Sequence, residues 1–183
     1  MTFREPIELC QHSPEWAQEF AEIGRTIRHS LGPIALRIDH IGSTSIPRLD
    51  AKPIIDIQIS VAALEPIKSF QRPLEQLGYR WRSDNPDKTK RYFRETPPMR
   101  RTHIHVRKLG SWHQQAPLLF RDYLRVHRSD CEKYGAVKRE LARRFHHDRK
   151  QYTSSKSDIV WEILERADRW AASLGWEPGT SDV

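Results

Sequence analysis

The sequence lacks most of the features that mark secreted, zinc-finger or membrane proteins. Its two cysteines in 183 residues, Cys10 and Cys131, are too few for a disulfide framework and match no CxxC spacing. No apolar run approaches the ~20 residues of a transmembrane helix. The first ten residues include Arg4, Glu5 and Glu8, where a signal peptide would be apolar. These absences predict a protein of the reducing cytoplasm with no membrane partner.

The chain is rich in aromatic and charged residues. Six tryptophans, six phenylalanines and five tyrosines supply bulky core side chains, so the chain is not disordered. The net charge of +7 is concentrated in two blocks: residues 80–108 carry ten positive and three negative side chains, and residues 121–150 carry ten and five. Such clustering favours an anionic partner. For 121–150 alone, an exposed basic helix face is the simpler interpretation.

Alternation and helical spacing predict a mixed sheet with helices in the first 110 residues. A helix is expected from Ser13 to Leu31, and another from Leu64 to Leu77 with a kink or break at Pro73. The expected strands are 34–41, 52–61, 79–82, 91–95 and 102–108. In the second of these strands isoleucines alternate with polar residues, which puts three polar side chains on one face: Asp56, Gln58 and Ser60.

The remainder of the chain is expected to be helical. Helices are predicted to begin at two capping boxes, each a serine with Gln or Glu three residues later: Ser111 with Gln114, and Ser129 with Glu132. The second helix extends to about residue 147, and a last one runs over 156–174. We expect one compact domain, with an α/β core over 1–110, a helical part over 111–176 packed on it, and a flexible tail over 177–183.

The segment from His40 to Ser45, His-Ile-Gly-Ser-Thr-Ser, is the most informative motif. A Gly-Ser turn that leaves a strand presents backbone N–H groups and hydroxyls to a phosphate, and Gly42 allows close approach. Asp56, on the next strand, stands where a carboxylate would hold a divalent cation that bridges phosphates. Such turns are also common in ordinary loops, so the spacing alone leaves both interpretations open.

Gly42-Ser43 followed by Asp56 resembles the signature of the nucleotidyltransferase superfamily that includes DNA polymerase beta. More specifically, the chain resembles the GrpB family of bacterial proteins in four blocks: HIGSTSIPRLDAKPIIDI (40–57), RTHIHV (101–106), FRDYLRVH (120–127) and YTSSKSDIV (152–160). The resemblance implies an α+β fold, a nucleotidyltransferase-like mixed sheet flanked by helices, with a helical C-terminal extension. GrpB domains also occur fused to dephospho-CoA kinase in some bacteria.

The sequence departs from the superfamily at the implied metal centre. Active members carry two acidic residues, one residue apart on this strand, that bind two metal ions. Position 58 is a glutamine, which is a poor Mg²⁺ ligand, and neither Asp39 nor Asp50 replaces it by spacing. Asp56 therefore remains the single candidate catalytic carboxylate, and Gln58 argues against standard two-metal catalysis.

His103 and His105 alternate with apolar residues on the last expected strand, so both face the same side as Arg107. In polymerase-beta-like folds a later strand supplies a third metal ligand, and the resemblance implies that these histidines occupy it. With Asp56 they would suit Zn²⁺, Mn²⁺ or Fe²⁺ better than Mg²⁺. Two alternatives stay open: the histidines pack with nothing bound, or they contact phosphate directly beside Arg107.

A phosphate site also needs hydrogen-bond donors and cations. The candidates for phosphate or nucleotide binding are Gly42, Ser43, Thr44, Ser45, Lys52, Arg91, Arg101 and Lys156. Lys156 is included because related architectures often place a lysine of the helical part over the phosphates. Ordinary surface charge is the alternative for each of the four cations, and the two cysteines are expected to be inert thiols.

These features predict a nucleotidyltransferase-like protein that binds a nucleotide or another phosphorylated small molecule. With a divalent ion (Mg²⁺, Mn²⁺ or Zn²⁺) as cofactor, it would transfer a nucleotidyl group in a metal-dependent reaction. One alternative, favoured by Gln58, is a non-catalytic binding module that partners an enzyme of coenzyme A metabolism. The other is RNA binding through the two basic blocks, which requires exposed aromatics for stacking, with Trp81, Tyr92 and Phe93 as the candidates.

Overall fold

The computed structural model describes residues 6–183, and Arg4 and Glu5 lie outside this part. The fold is α+β, as expected from the sequence. The elements, in chain order, are α1 (Glu15–Leu31), β1 (Arg37–Ile41), β2 (Ile55–Val61), α2 (Lys68–Gln76), β3 (Tyr79–Trp81), β4 (Lys90–Glu95), β5 (Thr102–Lys108), α3 (Trp112–Val126), α4 (Arg128–Arg144), α5 (Arg149–Ser154) and α6 (Ser157–Leu174).

The five strands form one mixed sheet in the order β1-β2-β5-β4-β3. The central pair, β2 and β5, is parallel, and every other neighbouring pair is antiparallel. The crossover from β2 to β5 contains α2, β3 and β4, so two strands distant in sequence become neighbours at the centre of the sheet. This topology brings the polar positions of β2 and β5 side by side.

The alternation along β2 separates the two faces of the sheet. Ile55, Ile57 and Ile59 have no exposed surface and pack with residues of α1 and α2 into the main core. On the opposite face Gln58 lies beneath α3, and its side-chain amide donates to the main-chain oxygen of Gln114 (2.8 Å). Burial of the isoleucines holds the register of β2, because a slip by one residue would turn them to the polar face.

The helical second half has a core of its own. It is formed by buried apolar residues of α3, α4 and α6 together with two from the loop before β2: Ile46, Leu49, Leu119, Tyr123, Leu124, Cys131, Tyr134, Ile159, Ile163 and Ala167. The helices therefore pack over the loop that leads out of the Gly-Ser turn. In the described part of the chain, no helix combines the length and the apolar character that crossing a bilayer requires.

Several local predictions differ from the structure. The strand expected from residue 34 begins at Arg37, because Gly32–Ile34 form a 3-10 turn. Neither capping box forms: the Ser111 hydroxyl donates back to the carbonyl of Lys108 (2.7 Å), and Ser129 lies inside α4. Short-range hydrogen bonds of serine compete with capping, which explains the first error.

The helical predictions were also wrong in extent. The helix expected over 64–77 is the single, shorter α2, which is not broken at Pro73. The helix expected to reach about residue 147 ends at Arg144, and a short helix, α5, follows before α6. α5 was not predicted, and its Tyr152 ring lies 5.2 Å from the ammonium of Lys52, shortly before β2.

The segment 177–183, expected to be a flexible tail, instead lies along β1. The Ser181 hydroxyl accepts from the Ile38 N–H (2.8 Å), and the Asp182 carboxylate accepts from the His40 N–H (2.8 Å). The same carboxylate forms a 2.7 Å ion pair with Arg121, whose side chain is buried. These contacts satisfy main-chain donors at an edge of the sheet, a need that the polar tail sequence does not show.

Candidate functional site

The site is built where β1 ends and β2 begins. Gly42 directly follows β1, whose last residue, Ile41, pairs with Asp56 on β2. Across the parallel pair, Asp56 stands opposite His103 on β5, and His105 lies two residues further along the same face. The sheet register therefore gathers the Gly-Ser turn, the strand carboxylate and both histidines, as the family resemblance implied.

Glycine is required at position 42 by its backbone conformation and by the close approach of the Asp56 side chain. Its φ of +71° and ψ of −176° belong to a region that is essentially open to glycine alone. A Cβ added there would lie 2.6 Å from Oδ2 of Asp56. The turn backbone is thus packed directly against the carboxylate, which is the close approach that the Gly-Ser motif predicts.

The three hydroxyls of the turn have different roles. Ser43 Oγ faces the cavity and accepts from the Lys138 ammonium (3.0 Å). Thr44 Oγ1 donates to a main-chain carbonyl (3.2 Å), and Ser45 Oγ donates to the Gly42 carbonyl (2.6 Å). Thr44 and Ser45 are buried, so their hydroxyls hold the turn in shape, and Ser43 is the hydroxyl placed for a ligand.

A cavity of about 360 Å³ opens beside the turn. Its size lies within the usual range for small-molecule sites, roughly 300–1,000 Å³. Basic, hydroxyl and aromatic side chains from both halves of the chain line it together with Asp56 and His103; they include Ser43, Thr44, Lys52, Tyr134, Lys138, Arg149, Tyr152 and Lys156. The helical part therefore completes a site that the sheet begins.

Lys138 of α4 is buried inside the protein, with 1% of its surface exposed. Its ammonium group donates to Ser43 Oγ and to the carbonyl oxygen of Asp50, and it lies 5.0 Å from the Tyr134 ring centroid. Burial lowers the pKa of Lys138 to about 7, and the charge of Lys156 adds to this effect. Within residues 6–183 no carboxylate forms an ion pair with this ammonium, and a buried ammonium of this kind favours an anion beside it.

The ammonium groups of Lys52 and Lys156 both lie over the Tyr152 ring in the same cavity. Their ammonium groups lie 5.2 and 4.5 Å from the ring centroid. Burial lowers the pKa of Lys52 to about 8, with Arg149 and Lys156 contributing, and burial also lowers the pKa of Lys156, against the opposing effect of Asp56. The lowered values result mainly from burial of these cations, which the nearby Asp56 carboxylate offsets only in part.

Asp56, His103 and His105 form one compact group on the polar face. Oδ1 of Asp56 lies 3.3 Å from Nδ1 of His103 and 3.3 Å from Nε2 of His105. Burial would raise the pKa of Asp56, but the two histidines outweigh it and hold that pKa well below its usual range. Burial lowers the pKa of His105 to about 4 against the pull of the carboxylate, so the site holds an ionised Asp56 and a neutral His105 at pH 7.

Two predicted arginines lie elsewhere. Arg91 projects from the face of β4 opposite to Tyr92 and forms a 2.7 Å ion pair with Glu65, so the structure does not bring it to the site. Arg101 lies closer: its Nε is 3.2 Å from Oε1 of Glu95, and it borders a neighbouring pocket together with Lys52. Successive residues of a strand project to opposite faces of the sheet, so Arg91 projects away from the face that carries His103 and His105.

The two-magnesium centre of active nucleotidyltransferases does not fit the described residues. Gln58 is fully buried and its amide is engaged by α3. Asp39, which pairs with Gln58 across the sheet, is also fully buried and accepts from Arg37 at 2.8 and 3.1 Å. Only one carboxylate, Asp56, then reaches the cavity from this face, and one carboxylate cannot hold two Mg²⁺ ions close together.

Sequence reasoning missed Lys138, Tyr134, Tyr152 and Arg149. A signal for Lys138 was present: it continues the i, i+3/i+4 row of buried residues Cys131, Tyr134 and Ala142 on α4. A lysine on the apolar stripe of an otherwise charged helix indicates a buried cation with a specific partner or ligand. The block 121–150 is therefore more than an exposed basic face.

A larger groove, about 620 Å³, lies between α3, α6 and the segment that follows α6. Trp112, Trp176 and Arg37 are among its lining residues. None of the predicted site residues lines it, and the one three-membered His/carboxylate group found among residues 6–183 is the Asp56 group. The chemistry-bearing residues thus lie in the smaller cavity.

This sheet, with its Gly-Ser turn and strand carboxylate, defines a nucleotidyltransferase-like fold. Structures of the Cid1 poly(U) polymerase match with a TM-score of 0.53 and 13% identity over 73% of this chain and 44% of theirs. The GLD-2/RNP-8 complex matches with a TM-score of 0.58 and 12% identity over 84% of this chain and 59% of that one. At these identities the likeness concerns the fold alone.

The chain belongs to the GrpB family, whose model, "GrpB protein", matches residues 6–166. The crystal structure of the conserved protein GrpB from Enterococcus faecalis matches with a TM-score of 0.80 and 30% identity over 89% of this chain and 99% of that one. A UPF0157 protein of Pseudomonas aeruginosa is 41% identical over 88% of this chain and 67% of its own length. The family resemblance stated from the sequence is confirmed.

Other relatives are longer than the region they share with this chain. UPF0157 protein YqkA of Bacillus subtilis is 34% identical over 90% of this chain, which spans 48% of that protein. The dephospho-CoA kinase of Mycolicibacterium paratuberculosis is 32% identical over 96% of this chain, which spans 49% of it. The shared region is thus about half of each of these proteins.

Proposed function

We propose that this protein binds a nucleotide or another phosphorylated small molecule in the cavity beside the Gly42–Ser43 turn. The observation that carries the proposal is the contact of the buried Lys138 ammonium with Ser43 Oγ, in a cavity that Lys52 and Lys156 also line. Three cations with pKa values lowered by burial gain free energy when an anion enters among them. Phosphate groups suit such a site because several cations and a turn can bind their oxygens at once.

The dimensions favour a small ligand over a nucleic acid. A cavity of about 360 Å³ has room for a polyphosphate with part of a nucleoside, not for a long strand. The aromatic residues that RNA stacking would need are engaged elsewhere: Phe93 is fully buried, and the Tyr92 ring packs against both site histidines. RNA binding through the basic blocks therefore gains no support from these side chains.

Of the two roles for such a site, a non-catalytic binding module is the better supported. Gln58 occupies the second acidic position of active nucleotidyltransferases, and its amide is committed to α3. The region matches about half of a relative named dephospho-CoA kinase, which supports a link with coenzyme A metabolism. Nucleotidyl transfer would have to proceed with Asp56 as the one carboxylate that lines the cavity among residues 6–183.

A thermal-shift panel of nucleotides and coenzyme A precursors, each with Mg²⁺, Mn²⁺ or Zn²⁺, tests the proposal. We expect at least one phosphorylated compound to stabilise the wild type, by roughly 2.7 kcal/mol at 100-fold its Kd. Ser43→Ala should lose most of this shift, and Ser154→Ala, on the exposed surface of α5, should keep it. A panel without any shift, or a shift that survives Ser43→Ala, would contradict the proposal.

Affinity for inorganic triphosphate is expected to fall as pH rises from about 7.5 to about 9.5. In the unbound protein Lys138 (pKa about 7) and Lys52 (pKa about 8) lose their protons across or just below this window, and a bound polyanion favours their charged forms. Binding therefore takes up protons, and each proton lowers affinity by up to about tenfold per pH unit.

Calorimetry in buffers of different ionisation enthalpy measures this proton uptake directly. The pKa values of the two amines already contain the effects of nearby charges: Asp50 and Lys156 act on Lys138, and Arg149 and Asp56 act on Lys52. Lys138→Met should reduce the uptake. An affinity that stays constant over the window, with no proton uptake, would show that these amines do not face the anion.

A further inference from the structure

We propose that Asp56, His103 and His105 bind one divalent first-row transition-metal ion of the Zn²⁺ type, in place of the two magnesium ions of active nucleotidyltransferases. The three side chains offer one carboxylate oxygen and two ring nitrogens, all within 4.8 Å of one another. They project from neighbouring strands, β2 and β5, on the face that opens into the cavity. Binding of the ion needs only this triad, whereas its contact with phosphate rests on the proposed function.

The distances match those between zinc ligands and are at the long end for hydrogen bonds, one of which links Nε2 of His105 to Oδ1 of Asp56. Each histidine nitrogen lies 3.3 Å from Oδ1 of Asp56. Charge-assisted N–H···O⁻ bonds are usually about 2.7–2.9 Å long. Tetrahedral zinc with bonds of roughly 2.0–2.1 Å separates neighbouring ligand atoms by about 3.3–3.4 Å. The observed spacing is therefore that of two edges of a tetrahedral zinc site.

The ligand types select the metal. Two imidazoles and one carboxylate suit Zn²⁺, Co²⁺, Mn²⁺ or Fe²⁺, whereas Mg²⁺ prefers an all-oxygen set. Asp56 and His103 line the cavity together with Ser43 and Lys156. A three-ligand site with open positions has the form that accepts water or a ligand oxygen.

The groups around the imidazole rings of His103 and His105 indicate how tightly the metal ion should bind. Tyr92 packs against both imidazoles, with ring centroids 5.5 and 5.2 Å away, which restricts their orientation. Within the described residues, the other nitrogen of each ring, Nε2 of His103 and Nδ1 of His105, is buried without a hydrogen-bond partner. Since outer partners strengthen metal ligands, we expect weaker binding than at fully supported zinc sites.

Titration of EDTA-treated protein with Co²⁺ tests the inference without any assay of activity. We expect visible d–d absorption at one equivalent, displaced by Zn²⁺ and unaffected by Mg²⁺. Asp56→Asn, His103→Gln and His105→Gln should each weaken Zn²⁺ binding by at least about tenfold, since loss of an outer partner alone costs roughly 10- to 100-fold. Circular dichroism of each variant shows whether it is folded.

The matched control is His146→Gln/His147→Gln, which removes an exposed pair of adjacent histidines with nitrogens 3.2 Å apart. We expect the control to bind Zn²⁺ like the wild type. Absence of a Co²⁺ spectrum, or Zn²⁺ binding that survives in the folded triad variants and disappears in the control, would overturn the inference. Triphosphate titration of the metal-free protein tests the proposed function separately, because that binding depends on Ser43 and Lys138.

Discussion

Replacing Gly42 with alanine is expected to lower the free energy of unfolding by about 2–6 kcal/mol, a backbone penalty of roughly 1–3 kcal/mol plus overpacking of similar size. The backbone at Gly42 has φ +71° and ψ −176°, which alanine adopts only under strain. The new methyl group would also lie 2.6 Å from Oδ2 and 2.9 Å from Cβ of Asp56. Either the turn or the carboxylate must move, and we expect triphosphate binding to be lost as well.

Gly110→Ala is the matched control for this prediction. Gly110 has nearly the same φ, +74°, but an added Cβ there would meet nothing within 4 Å. We expect it to cost only the backbone penalty, about 1–2 kcal/mol, and to leave binding unchanged. Urea denaturation of both variants measures the difference, and equal losses of stability would mean that Gly42 is not packed against Asp56.

Lys138→Met is expected to weaken triphosphate binding by at least about tenfold, because a hydrogen bond to a charged group contributes roughly 1.5–3 kcal/mol. Methionine keeps an unbranched side chain in the buried position on α4, so the helix should remain packed on the sheet. What is lost is the buried ammonium that reaches Ser43. Calorimetric titration of wild type and variant at neutral pH measures the effect.

Lys133→Met controls for the loss of one positive charge from the same helix. Lys133 is about half exposed and pairs with Glu162 on α6, away from the cavity. A surface pair of this kind contributes little, so we expect binding within about twofold of wild type. If both lysine variants weakened triphosphate equally, general electrostatic attraction would explain the binding and the cavity would not be needed.

The parts of the site that follow strand alternation could be predicted from the sequence. Asp56 on β2, and His103 and His105 on β5, each face the polar side because isoleucine and valine residues between them are buried. That β5 lies beside β2 came from the resemblance to the family, not from periodicity. No local signal specifies which distant strands pair in parallel.

The misplacement of Arg91 shows the limit of this reasoning. The residue is adjacent in sequence to Tyr92, which contacts the site histidines, yet it projects from the other face to Glu65. Only the register between β4 and β5 decides which of the two faces the site, and composition does not encode it. A one-residue shift in register would have exchanged them.

Apart from Lys156, which the family resemblance implied, the helical residues of the site could not be placed from sequence, because tertiary packing positions them. Lys138 reaches Ser43 across 95 residues, and Tyr152 lines the cavity from the unpredicted α5. The same holds for Asp182, whose contacts with His40 and Arg121 fix the end of the chain along β1. The sequence around such polar residues carries no distinguishing pattern, so their partners are seen only in the folded chain.

The most direct test of the proposed site is calorimetric titration of inorganic triphosphate into the metal-free wild type and into Ser43→Ala/Lys138→Met. These two side chains form a direct hydrogen bond between the Gly-Ser turn and the buried cation of α4. We expect saturable binding with proton uptake in the wild type and none in the folded double variant. Absence of binding in the wild type, or equal binding in both proteins, would contradict the assignment of this cavity as a phosphate site.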